Sequence, residues 1–211
     1  MDLTTSILSI TVTLTLGAIS PGPSFFMVAR TALAVSRRDG LAAAVGMGIG
    51  GVCFSVVAVL GLLAVLSAVP ALYVALKLFG GAYLVYLGYR IWRGAKMPLP
   101  VADLSRPGGT TTALRSFLLG LTTQISNPKT AVVYAGVFAS LLPADAPTWV
   151  LVTLPIIVFA IETTWYAIVA AALSSPSPRA RYLASKVWLD RTAGGILALL
   201  GAKLIIDAPQ A

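Results

Sequence analysis

The chain has 211 residues, 58% of them apolar, with a mean hydropathy of +0.91 and a net charge of +8. Charged residues make up only 10%, against roughly 25% in soluble domains. One cysteine (Cys53) and no histidine exclude an intramolecular disulfide, a Cys-x-x-Cys redox pair, Ser-His-Asp and Cys-His catalysis, and the commonest metal ligand.

Several apolar runs reach about 20 residues, the length that crosses a bilayer core. The sequence therefore reads as an all-α polytopic membrane protein, a single membrane domain over residues 1–211. Six transmembrane helices are expected, at about 3–28, 41–66, 71–91, 114–142, 149–173 and 188–207. The first follows Met1-Asp2 without a basic flank, so it reads as a retained membrane helix and not a cleaved signal. Pro70, Pro98, Pro100, Pro107-Gly108-Gly109, Pro143, Pro147, Pro176 and Pro178 fall between the spans or at their edges, where helix breakers belong.

The first span is interrupted by Ile19-Ser20-Pro21-Gly22-Pro23-Ser24. Proline inside a helix removes a backbone hydrogen bond and clashes with the preceding turn. In hydrocarbon, backbone groups freed this way persist only against protein or a water-filled cavity. Gly22 can take backbone angles that other residues avoid. Ser20, Pro21, Gly22 and Pro23 are thus candidate site residues, offering free carbonyls to an ammonium or proton-bearing group. Ser24 reads as packing.

In the second span Gly46, Gly48, Gly50 and Gly51 permit close backbone approach, within the bundle or at a dimer seam. The third reads Lys77-Leu-Phe-Gly80-Gly81, then Gly88 and Arg90. The fourth carries Ile125-Ser126-Asn127-Pro128-Lys129-Thr130, 106 residues after the first break. A helix restarting there aims N–H groups and partial positive charge into the break. A carboxylate is the natural guest, and Lys129 adds a full charge. Asn127, Pro128 and Lys129 are the matching site candidates; the alternative is a structural kink with a snorkelling lysine.

The fifth span holds Glu162, the one carboxylate placed deep in a span. Lys129 precedes Leu141 by 12 residues and Glu162 follows Trp149 by 13. At about 1.5 Å per residue both lie at similar depth, roughly 18–20 Å from the turn between them. They are expected to face one interior, paired with each other or meeting opposite ends of a zwitterion. Glu162 is also the candidate carrier of a coupling proton; a purely structural ion pair is the alternative. The sixth span reads Arg191-Thr-Ala-Gly194-Gly195, then Gly201 and Lys203, echoing the third. Lys203 and Asp207, four apart, share a face at its end. Trp92, Trp149 and Trp188 read as interface anchors.

Twelve of the 15 Lys and Arg fall in the regions after spans one, three and five or on their flanks. Short basic loops stay cytoplasmic, so both termini are expected outside, and the charge requires no nucleic-acid partner. Corresponding breaks and glycine patterns suggest a three-helix unit, duplicated. An odd number of spans inverts the second copy, giving two inverted three-helix repeats: about 1–98 and 114–211, with a cytoplasmic linker at about 92–113.

Pro21-Gly22-Pro23, Arg37-Arg38-Asp39-Gly40-Leu41, the segment from Leu76 to Gly88 (Leu-Lys-Leu-Phe-Gly-Gly-Ala-Tyr-Leu-Val-Tyr-Leu-Gly) and Asn127-Pro128-Lys129 resemble the LysE/RhtB family of amino-acid exporters along nearly the whole chain. The resemblance implies efflux of an amino acid or close derivative across the bacterial inner membrane. It also implies an ion-gradient-driven secondary mechanism, no cofactor and a homodimer. Where many members carry an acidic or amide residue in the second span, this chain has Gly50-Gly51. Other classes are a membrane-embedded enzyme using Glu162 and Lys129 as acid and base, an assembly subunit, and an exporter of a metal ion or other small solute. The shortage of acids and the lack of histidine disfavour a metal.

Overall fold

The computed structural model describes residues 3–68, 70–97, 112–143, 146–174 and 176–208. Among them there are only helices: α1 (Leu3–Ile19), α2 (Pro23–Ala34), α3 (Arg37–Ala68), α4 (Pro70–Gly94), α5 (Ala113–Ile125), α6 (Pro128–Leu141), α7 (Thr148–Leu173) and α8 (Pro176–Asp207). By length and composition Arg37–Gly61 and Thr148–Leu173 can each cross a membrane. α1 and α2, bent by 56° at their junction, make a third candidate span if taken together. The protein is therefore a multi-pass, all-helical membrane protein.

Two expected spans are broken helices. The run 3–28 divides into α1 and α2 around residues 20–22, and 114–142 into α5 and α6 around 126–127. Both new helices begin with proline, whose missing N–H has no helical partner in a first turn anyway. Two expected loops are shorter than the composition suggested. The stretch 30–40 is mostly helical, because Ser36 starts α3: its hydroxyl accepts from the Asp39 N–H (3.0 Å) and donates to the Asp39 carboxylate (2.5 Å). Most of 174–187 belongs to α8, since Pro176 opens that helix instead of ending one. The expected linker lies largely outside the described residues, as do Pro98, Pro100 and Pro107-Gly108-Gly109.

α3 packs along α5 and α7, and α4 packs along α8. Glycines set both approaches. A Cβ on Gly50 would stand 2.6 Å from the Gln124 Cβ, so the second-span glycines serve packing within the chain. Along α4 and α8, a Cβ on Gly81 would lie 2.7 Å from the Gly201 carbonyl oxygen, and one on Gly194 would lie 2.6 Å from that of Gly88. The reciprocal contacts, Gly201 to Gly81 and Gly88 to Gly194, are closer still at 2.4 Å each. Such seams let backbones touch where lipid offers no hydrophobic drive for helix association.

Buried side chains form two clusters. One joins α1, α4, α6, α7 and α8 through Leu14, Leu84, Val137, Leu154 and Leu197; the other joins α2, α3 and α7 through Phe25, Met47 and Val169. The two breaks lie between them. Trp92, Trp149 and Trp188 are exposed on the outer surface, as interface anchors require.

Candidate functional site

The breaks meet. Pro21 has no N–H, so the Gly17 carbonyl four residues earlier has no helical donor. The Ser20 carbonyl is freed as well, because its partner position lies beyond the bend. Lys129 supplies both: its Nζ donates to Gly17 O (3.0 Å) and Ser20 O (2.6 Å). The carbonyls expected to receive a ligand's ammonium are thus held by the protein's own.

The second break satisfies itself. Asn127 caps α6, its Oδ1 accepting from the Lys129 N–H at 3.0 Å. Its Nδ2 donates to Ser24 Oγ (2.9 Å), and Ser24 Oγ donates to Gln124 Oε1 (2.6 Å). Ser24 therefore links the two breaks and is not mere packing. All three side chains are buried.

Gly22 needs another explanation than the expected one. Its backbone is extended, φ −157° and ψ −169°, a region open to any residue, and no described glycine has positive φ. What it leaves is room: a Cβ there would sit 3.4 Å from Lys129 Cδ.

Glu162 is 3% exposed and accepts a 2.8 Å hydrogen bond from the Tyr134 hydroxyl. It faces the same interior as Lys129, as depth alone suggested, yet the two form no ion pair. Glu162 Oε2 and Gln124 Nε2 are both buried without a hydrogen-bond partner. Gly51 makes room for Glu162, since a Cβ there would come within 3.0 Å of Glu162 Cγ. Buried polar groups left without partners call for a water, ion or ligand.

Three hollows adjoin the breaks: one of about 340 Å³ lined by Pro23, Thr122, Thr123, Ser126, Asn127 and Pro128, and two that also reach Lys129. The inner one of these two, about 20 Å³, is lined by Glu162, Tyr134, Lys129, Asn127, Ser20 and Gly22, among others. That is space for about one water. The outer one, about 620 Å³, reaches from Ser20, Pro21, Gly22, Asn127, Pro128 and Lys129 to Arg90, Lys186 and Asp190. Small-molecule sites run from about 300 to 1,000 Å³, so of the two hollows that reach Lys129 only the outer can admit a solute as large as an amino acid. Lys129 borders both, and Glu162 borders only the inner.

The eight expected site residues are thus gathered around one point; only Lys129 among the charged pair meets the large hollow. Sequence reasoning missed Gln124, Tyr134 and Asp190. A signal existed for Tyr134: Asn127, Thr130 and Tyr134 fall at i, i+3 and i+7 on one face of α6, and all are buried. Lys203 and Asp207 do pair, at the exposed end of α8. Among the described residues, no group of three or more His, Cys, Asp or Glu stands ready to hold a metal.

A family model for the LysE type translocator matches residues 15–208. The chain belongs to the LysE translocator family. It is 32% identical over 199 residues to the "Threonine efflux protein" of Escherichia coli K12, covering 90% of this chain and 92% of the relative. It is 34% identical over 194 residues to the protein of that name from Salmonella typhi, with the same coverage. A shorter match, 29% over 135 residues, is to the "Leucine efflux protein" of Klebsiella pneumoniae, covering 61% of this chain and 59% of that one. No solved structure matches. This LysE-family chain is thus a membrane translocator related to amino-acid efflux proteins, with paired breaks at the centre of its fold.

Proposed function

We propose that this protein exports an amino acid or similar small zwitterion across the bacterial inner membrane, by alternating access around the Pro21-Gly22-Pro23 and Asn127-Pro128 breaks. One observation carries the reading: both breaks border a single amino-acid-sized cavity, and Lys129 of one closes the carbonyls of the other. Discontinuous helices meeting at mid-membrane are the usual substrate site of secondary transporters.

The six-span inverted repeat is part of this proposal. α1 with α2 and α5 with α6 each count as one broken span, and α3, α4, α7 and α8 supply the rest. Two features support it. Short, short, long, long helices occur twice in order. Gly81 and Gly88 on α4 echo Gly194 and Gly201 on α8 at a spacing of seven, and each touches the other's counterpart. Crossed contacts of this kind are what a two-fold axis generates.

Arg90 and Lys186 line the outer cavity and belong to the basic regions that remain cytoplasmic. The cavity therefore opens to the cytoplasm, with both termini periplasmic. Substrate enters as far as Lys129; Glu162, shut in the inner hollow, carries the coupling proton. Rocking one repeat against the other would close the outer hollow and enlarge the inner.

The test is flux of labelled L-threonine and L-leucine in proteoliposomes under an imposed pH gradient. The wild type is expected to drive uphill flux of at least one and return it unaltered. Glu162→Gln is expected to abolish gradient-driven accumulation while keeping substrate exchange. A variant that still couples fully would remove Glu162 from that role, and a chemically altered product would favour an enzyme.

A further inference from the structure

The export reading leaves open which group recognises the substrate's ammonium. The carbonyls of the first break are filled by Lys129, and Glu162 has no access to the large cavity. Asp190 does. Among the described residues lining that cavity it is the one carboxylate.

Asp190 is 4% exposed and half used. Its Oδ2 accepts from Lys186 Nζ at 2.7 Å, and Lys186 is anchored in turn to the Ala95 carbonyl at 3.1 Å. Its Oδ1 is buried with no hydrogen-bond partner. A carboxylate has about four lone-pair sites and an ammonium brings three donors, so this cavity-lining carboxylate, pinned through Oδ2, keeps unused acceptor capacity on an Oδ1 that a small side-chain turn would present to a ligand. The other nearby cations lie over aromatic rings, although Arg191 Nε is also buried without a hydrogen-bond partner. The Arg90 guanidinium lies 5.8 Å from the Tyr86 ring centroid, and that of Arg191 5.8 Å from the Trp92 ring centroid.

The cavity carries charge of both signs: Lys129 and the start of α6 line it at the breaks, and Asp190 of α8 lines it as well. A helix N-terminus and a lysine favour a carboxylate. A zwitterion entering this field turns its carboxylate toward the breaks and its ammonium away from them.

We infer that Asp190 is the ammonium-recognising residue of a vestibular subsite, which holds a zwitterionic amino acid with its carboxylate toward Lys129 before the breaks move. The inference rests on the export reading and deepens it.

The experiment uses the full chain in proteoliposomes, with labelled L-threonine as probe. L-Threoninol, which has the ammonium but no carboxylate, and 2,3-dihydroxybutyrate, which has the carboxylate but no ammonium, serve as competitors. Wild-type transport is expected to be inhibited by both. In Asp190→Asn the KM for threonine is expected to rise about tenfold, with kcat changed far less. Inhibition by threoninol should be lost while inhibition by the hydroxy acid persists, and Asp190→Glu should restore part of the amine sensitivity. An Asp190→Asn protein with wild-type KM and threoninol sensitivity would overturn the inference, leaving Asp190 a structural partner of Lys186. So would a threonine-transporting wild type that ignores threoninol, a result that needs no variant to fold. Absence of any amino-acid flux in the wild type would instead bring down the export reading itself.

Discussion

The two helix breaks solve one problem in opposite ways. At the second, Asn127 caps the new helix with its own side chain and Pro128 occupies the position where a missing N–H costs nothing. At the first, α2 starts at Gly22 with no side-chain cap, and the carbonyls released by Pro21 have no local donor. They are satisfied across the molecule by Lys129, 112 residues after Gly17. One break is self-sufficient; the other depends on its partner. Under the alternating access proposed above, the dependent contact is the one whose loss would free the structure, which makes Lys129 a structural tie as well as the proposed substrate-facing charge.

Removing the tie should have the largest effect. Lys129→Met leaves the Gly17 and Ser20 carbonyls without donors; each bond to a charged group is worth about 1.5–3 kcal/mol. Threonine flux in proteoliposomes is expected to fall on the order of 100-fold, equivalent to about 2.7 kcal/mol, with a lower unfolding temperature in detergent. Flux within a few-fold of wild type would mean the breaks do not depend on each other. Weakening the self-sufficient break should cost less. Asn127→Ala loses a cap worth about 1 kcal/mol and the bond to Ser24, worth about another 1 kcal/mol. Flux should drop by no more than about tenfold, and the same detergent unfolding assay should show a smaller shift than for Lys129→Met. The mildest change is Gly22→Ala, because its extended backbone suits any residue and the new methyl makes ordinary contact with Lys129. Stability should stay within about 0.5 kcal/mol of wild type. If flux nevertheless collapses in this variant, Gly22 must adopt a different backbone conformation elsewhere in the transport cycle.

Much of the site was legible one residue at a time. Pro21, Pro23 and Pro128 stand inside apolar runs, and only a cavity or protein contact can tolerate the backbone groups they release. Counting helical rise from the turn after α6 placed Lys129 and Glu162 at one depth. That count was blind to azimuth and to neighbours. It could not tell that Lys129 would spend its protons on carbonyls of α1 while Glu162 turned to Tyr134. Asp190 escaped notice because a carboxylate four residues after a lysine at a span edge looks like any surface ion pair; what distinguishes it is that the residue lines the large cavity and keeps one buried oxygen without a partner.

The sequence by itself determined the solvent this protein lives in, its helical class, the two points where its helices give way and the distribution of charge along its loops. These follow from composition and from the covalent peculiarities of proline, which act whatever the rest of the chain does. Only the tertiary structure decided that the two breaks share a cavity, that one lysine serves both, and that Glu162 sits in a space for about one water while Asp190 borders the one that admits a solute. Those outcomes depend on how closely glycine seams let α3, α5 and α7, and α4 and α8, approach one another. Helix spacing and rotation are collective results of packing that no single stretch of sequence specifies.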